Sequence, residues 1–287
     1  MSLTTVLKDT VNRALSPLNV KIDSLTAERA VLRSLRTLEA TGHFDGPVFP
    51  TLPSFTACEP SSLLQDIRDN RSDVDKFNRH TNTDQYCFDN AYFSSPDAEV
   101  AYALIRRFKP RRIVEVGSGN STHLFRAAIS DGGLDTELIS IDPSPRRSVR
   151  SVASRVIESP VEHVPIADIR SWLAADAVLF IDSSHEIRAG NDVVYLFLNL
   201  LPLLAAGTLI HIHDIFLPYE YPKDWILDNR WHSFTEQYIV QALLKDSTTY
   251  EVIWLGYYLQ NTLPNFASHF SAEELRRGAS LWLRKRT

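Results

Sequence analysis

A chain of 287 residues, 44% of them hydrophobic, has enough apolar content for a full core, as one α/β domain with an extension. Its 30 basic and 35 acidic residues leave a net charge of -5, which argues against a broad nucleic-acid-binding surface. Two cysteines, Cys58 and Cys87, are too few for a disulfide framework or a zinc site, and no apolar run reaches the length of about eighteen residues that a membrane span needs. The first residues, Met1 to Lys8, lack the apolar core of a signal peptide. A soluble cytoplasmic protein with no nucleic-acid or membrane partner is therefore expected.

Residues 1 to about 42 place Val11, Leu15, Leu18, Ile22, Leu25, Leu32, Leu35 and Leu38 at helical intervals, interrupted by Pro17. Such an arm could be a lid, a packing element or a homodimer contact. Pro47, Pro50, Pro53 and Pro60 then mark an irregular linker, followed by a polar stretch. The chain thus divides into a helical extension with its linker, 1–84, and a catalytic domain, 85–287. Ser95, Pro96 and Asp97 read as a helix start, with the helix running to Phe108. Strands are predicted near 112–116, 137–141, 154–158, 177–181, 207–213, 250–254 and 256–260. Helices are predicted near 121–130, 145–152, 190–204, 234–244 and 271–284, the last from the capping-box pattern Ser271 to Glu274. Arg276 and Arg277 then belong to a solvated basic helix. The alternation predicts an α/β fold, a doubly wound, seven-stranded and mostly parallel sheet. Its last two strands should form an antiparallel hairpin about Gly256, since no helical crossover fits between them.

Arg111-Arg-Ile-Val-Glu-Val-Gly-Ser-Gly-Asn-Ser-Thr122 is a buried strand that enters a glycine turn and then a helix. Gly117 and Gly119 let the backbone bend and approach a ligand, and the free amides of the next helix can face it. Asp142 ends the following strand, where a doubly wound fold places an acid on a ribose diol. Asp142 would suit the adenosine ribose of S-adenosylmethionine (SAM) or of NAD. The dinucleotide pattern, however, wants a third small residue where this chain has Thr122. An acid within the strand followed by GxG resembles motif I of class I SAM-dependent methyltransferases. The resemblance implies that Glu115 helps hold the methionine amino group, and that Gly117, Ser118, Gly119, Asn120 and Ser121 wrap the methionine end. The adenine edge would meet Ser159 to Glu162.

The ends of the fourth and fifth strands carry the chemistry. Phe180-Ile-Asp182-Ser-Ser-His185 and Ile210-His211-Ile-His213-Asp214 deliver two carboxylates and two imidazoles toward one cleft. His185, or in second place His213, suits a general base that deprotonates a hydroxyl acceptor, beside Asp182. Asp182, Asp214 and a histidine such as His213 could instead hold a divalent metal, magnesium, manganese or iron. His211 reads as a core histidine.

The run FIDSSH, a long apolar helix and then HDIFLPYEYP, together with EVGSGNST, is similar to a bacterial subgroup of the same methyltransferases, from Asn90 to Gln260 and including Phe234 to Tyr238. The resemblance implies a Rossmann-like methyltransferase fold, SAM as cofactor, and O-methylation of a hydroxyl on a small molecule or glycan. Metal-dependent members carry a further acid or Asn after the second Asp, where this chain has Ile215. A metal-dependent oxygenase or lyase on the same fold is the alternative. Tyr219, Tyr221, Trp225 and Trp231 form an aromatic run suited to an acceptor ring or to core closure. Phe88, Asn90, Tyr92 and Phe93 either cover the cleft or plug the core.

Overall fold

The computed structural model describes residues 3–79, 85–145, 149–227 and 234–287. Seven strands form one sheet: β1 (Arg112–Val116), β2 (Glu137–Ile141), β3 (Arg155–Ile157), β4 (Ala177–Ile181), β5 (Leu209–Ile212), β6 (Tyr250–Leu255) and β7 (Leu281–Lys285). Their order is β3-β2-β1-β4-β5-β7-β6, parallel throughout except for β7, which runs antiparallel to both β5 and β6. Ile113, Val114, Leu138, Ile139, Leu179, Phe180 and Ile210 are fully buried, because helices cover both faces of a parallel sheet. That double burial is why these strands read as unbroken apolar runs in the sequence.

Helices Asn120–Asp131, Ile166–Trp172 and the helical stretch from Asp192 make the crossovers, the last passing through a π-helical segment, Tyr195–Leu200. The sequence reading has no counterpart for Ile166–Trp172, a two-turn helix between prolines and a loop. Part of the helix expected at 145–152 falls on residues 146–148, outside the described residues; Val149 to Val152 form a turn instead. β2 and β4 flank β1 on opposite sides, so the chain leaves β1 in both directions and opens a crevice at the carboxyl ends of these strands.

The end of the chain differs from expectation. Gly256–Thr262 is a helix, not a strand, and no helix forms over 271–284 among the described residues. The antiparallel partner of β6 is β7, inserted between β5 and β6. Gly256 marks a crossing of two backbones, not a hairpin turn: a Cβ there would lie 3.1 Å from the Gly278 carbonyl carbon, and the Gly256 amide donates to Ser280 O at 2.8 Å. The capping pattern at Ser271 is overridden by long-range bonds. The Ser271 and Ala272 amides donate to the buried Glu99 carboxylate, and the Arg276 amide donates to Ser95 O. Leu281, Trp282 and Leu283 are then fully buried in the sheet.

In the N-terminal arm, helix Thr26–Ala40 buries no residue, and Leu7, Leu18, Ile22, Leu25 and Val31 are exposed. Glu39 pairs with Lys223 at 2.8 Å, and Leu35 packs beside Phe216 and Tyr221. The proline-rich stretch is not irregular throughout. It contains helix Pro53–Thr56 and leads into Ser61–Asp69, with Phe55, Leu63, Leu64 and Ile67 buried in the main core.

Candidate active site

β1 ends in a turn that only glycine permits at its first position. Gly117 has φ +82°, and a Cβ on it would stand 1.9 Å from the Asp182 carbonyl oxygen. The turn is thereby pressed against the end of β4, with the Asp182 amide donating to Val116 O at 2.9 Å. Asp142, at the end of β2, accepts the Ser118 amide and hydroxyl, both at 2.8 Å, and the Ser144 amide at 2.7 Å.

Glu115 is fully buried behind this turn. Its oxygens accept three hydroxyls: Ser121 at 2.6 Å, Thr122 at 2.6 Å and Ser140 at 2.8 Å. The carboxylate therefore ties β1 and β2 to the first turn of helix Asn120–Asp131. Burial pushes its pKa up to about 7, against the pull of the three hydroxyls. A carboxyl raised above its ordinary 4.5 stabilises the fold most when protonated. Its contribution is full below that value and is lost as pH rises through the folded pKa. Urea unfolding is expected to show the wild type losing roughly 1 kcal/mol more stability than Glu115→Gln between about pH 6 and pH 8. Parallel pH profiles would refute this.

A cavity of about 1200 Å³ opens at the ends of β1, β2, β4 and β5. It exceeds the roughly 300–1,000 Å³ of an ordinary small-ligand pocket and has room for a cofactor and an acceptor together. Gly117, Ser118 and Asp142 line it, as do Pro160, Val161 and Glu162 at the expected adenine end. Glu115, Gly119, Asn120 and Ser121 stand behind this lining. Asn120 Nδ2 donates to Asn90 Oδ1 at 3.1 Å, and the Gly119 amide donates to Thr122 Oγ1 at 3.0 Å.

At the opposite wall, Asp182, His185, His213 and Asp214 converge as the strand ends require. His185 Nε2 lies 3.3 Å from Asp182 Oδ1 and 3.5 Å from Asp214 Oδ2. His185 and Asp214 both adopt positive φ, 60° and 57°, which turns their side chains toward the cleft. Burial alone would depress the His185 pKa, but the hydrogen bonds and fields of Asp182, Glu236 and Asp214 hold it well above the usual value. Burial would likewise raise Asp182, yet the neighbouring histidines hold it below the carboxylate range.

His213 lines the cavity beside this group, its Nε2 3.7 Å from Asp214 Oδ1 and its ring edge-on to Phe93 at 5.3 Å. Burial opposes its charge, but Asp214, Asp182 and Asp97 raise its pKa. His211 is stacked on Phe180 at 4.1 Å, fully buried, and burial holds its pKa well below normal. It is the core histidine that its position inside β5 suggested.

The residue that sequence reasoning passed over is Glu236, fully buried, with Oε2 2.8 Å from His185 Nδ1. Its only local signal was an acid opening helix Glu236–Leu244. Asn90 and Tyr92 line the cavity, whereas Phe88 and Phe93 are buried as a plug. Phe216, Trp225 and Phe234 form the aromatic wall. Tyr221 is buried behind it, and Trp231 lies outside the described residues. Arg276 and Arg277, expected on a helix, line the mouth, where Arg277 pairs with Asp224 at 3.0 Å.

Residues 114–215, which span β1 through the end of β5, match the family model Methyltransf_24, described as a methyltransferase domain. Over that segment the chain is similar to a methyltransferase domain. The matched segment holds the glycine turn, Asp142, Asp182, His185, His213 and Asp214. Among solved structures, the chain is similar to a methyltransferase of Podospora anserina, PaMTH1, bound to S-adenosylhomocysteine (SAH), with 17% identity, 84% of this chain and 100% of that chain covered, and a TM-score of 0.43. The O-methyltransferase TomG of Streptomyces achromogenes, in complex with SAM, shares 14% identity over 84% of this chain and 92% of that chain, with a TM-score of 0.41. An O-methyltransferase of Bacillus cereus, in complex with SAH, shares 14% over 96% and 97%, with a TM-score of 0.40. No curated protein matches the chain. Among the described residues no helix is long and apolar enough to cross a membrane.

Proposed function

We propose that the methyltransferase transfers the methyl group of SAM to a hydroxyl of a small molecule or glycan, with His185 as the base. One observation carries the reading. The Ser118–Asp142 end of the cavity, suited to a nucleoside, and the Asp182–His185–Asp214 cluster share one continuous space. The Gly117–Ser118 backbone would wrap the methionine end, and Asp142 would take the ribose diol. Transfer is an in-line displacement: the acceptor oxygen bonds the methyl carbon, the sulfur–carbon bond breaks to leave SAH, and the hydroxyl proton passes to Nε2 of His185. For that role His185 has to give up its proton before transfer, which the sulfonium charge of bound SAM favours, and the Asp182 and Asp214 carboxylates then stabilise the imidazolium it becomes.

A second reading rests on the donor set. Asp182, His185 and Asp214 offer ligand atoms within 4.8 Å of one another, two carboxylate oxygens and one imidazole nitrogen. This set fits magnesium, manganese or iron. His185 supplies the third donor that Ile215, fully buried in the core, cannot. A cation bound there would lower the acceptor hydroxyl's pKa and orient it. His213, beside the set and facing the cavity, would then be the base. The exposed Leu7, Leu25 and Val31 of the N-terminal helices support a homodimer in which a second copy covers them. The acidic composition and two free cysteines support a cytoplasmic setting.

Calorimetric titration with SAH tests the cofactor, on metal-stripped protein and again with magnesium, manganese or ferrous iron. Micromolar binding is expected, weakened roughly 100-fold by Asp142→Ala, which removes a charged acceptor. Affinity that rises with a metal, and loses that rise in Asp214→Asn, supports the second reading. Absence of heat in every condition overturns SAM as the cofactor.

A further inference from the structure

The turn that opens helix Glu236–Leu244 lies outside the matched methyltransferase segment, yet it holds both loops of the cluster. The amides of Thr235 and Glu236 donate to His185 O at 2.8 and 3.0 Å, and the Ile187 amide donates to Thr235 Oγ1 at 2.7 Å. One residue on, Gln237 Oε1 accepts the Phe216 amide at 3.1 Å, and the Gln237 amide donates to Tyr221 OH at 3.0 Å. Residues 235–237 therefore clamp the loop after β4 and the loop after β5 from one side.

Within this clamp Glu236 has a distinct place. It is fully buried, and its Oε2 meets His185 Nδ1 at 2.8 Å, on the ring edge away from the cavity. A free imidazole can rotate about χ2 and can carry its proton on either nitrogen. A buried carboxylate against Nδ1 restricts both freedoms: burial pushes the Glu236 pKa up, but the bond to His185 pulls it back, and the ionised group accepts a proton and cannot donate one. Nε2 is then the nitrogen turned to Asp182 and Asp214, 3.3 and 3.5 Å away. His185 also sits at φ +60°, a strained backbone region for a non-glycine residue, and the bonds to its carbonyl offset that strain.

We infer that Glu236 is the positioning residue of this site: through His185 Nδ1 it sets the tautomer and ring orientation that present Nε2 to the acceptor hydroxyl or to a metal. The inference rests on the reading of His185 as the working group of the methyltransferase.

Imidazole NMR on ¹⁵N-histidine-labelled full-length protein tests it, with the His185 signals assigned by their loss in His185→Gln. The wild type, with SAH present, is expected to show an Nδ1-bound proton far downfield and slow to exchange with water. In Glu236→Gln, which keeps the volume, that resonance is expected to be lost or to exchange at least tenfold faster, while SAH affinity stays within about threefold. A wild type without a protected Nδ1 proton overturns the inference whether or not the variant folds. An unchanged resonance in folded Glu236→Gln also overturns it. Failure of the cofactor reading shows separately, as a protected Nδ1 proton in a protein that does not bind SAH.

Discussion

Gly117→Ala is expected to destabilise the protein by about 4 kcal/mol and to abolish measurable SAH binding. Two causes act together. Alanine at φ +82° is strained by itself, and its Cβ would have to displace the Asp182 carbonyl oxygen from 1.9 Å to normal contact distance. That carbonyl precedes the loop that carries His185, so relief of the clash moves the cofactor turn and the cluster apart. Gly119→Ala is the control. Nothing lies within 4 Å of the position of its Cβ, so the variant should keep most of the stability. Thermal unfolding and SAH titration of the two variants check this. Equal effects would show that the turn needs general flexibility and not the close approach to Asp182.

His185→Gln is expected to lower kcat by about 10³-fold while leaving SAH affinity within threefold, since the amide can hydrogen-bond but cannot take a proton. The readout is SAH released from SAM with an alcohol acceptor that the wild type turns over. His213→Gln separates the two readings of the cluster. If His185 is the base, the His213 variant retains activity within about tenfold. If a metal occupies Asp182, His185 and Asp214, the loss in His185→Gln should be partly recovered by raising the manganese concentration, and His213→Gln becomes the more damaging change. Full activity in both variants would remove these imidazoles from the chemistry. Stability should also fall in His185→Gln, because the buried Glu236 loses the ring nitrogen that it meets at 2.8 Å.

Strands β1, β2, β4 and β5 were legible because each is buried on both faces and bounded by glycine, proline or an acid. Ile113–Val116 and Val178–Ile181 have no polar alternation that would allow another reading. The site acids were legible for a related reason: once the strands are placed, Asp142, Asp182 and Asp214 must emerge at their carboxyl ends. β7 was not legible. Leu281–Lys285 acquires its strand character only by pairing with β5, some seventy residues earlier, and with β6. The helical signal at Ser271 is real but local, and the bonds from Glu99, Ser95 and Asp97 to the 271–280 backbone outweigh it.

The charges divide in the same way. Local pattern alone determined that this chain has a glycine turn between an acid-bearing strand and a helix, a second acid one strand later, and a histidine–carboxylate pair after each of the fourth and fifth strands. Tertiary structure decided which of those groups are free to act. Glu115 and Asp142 look alike in the sequence, yet three hydroxyls from β2 and the following helix enclose the first, while the second lines the cavity. His185 and His211 differ because only one has Glu236 behind it and two carboxylates before it. Periodicity encodes the faces of an element. Which buried group meets which is set by contacts between segments far apart in the chain, and no local pattern carries that information.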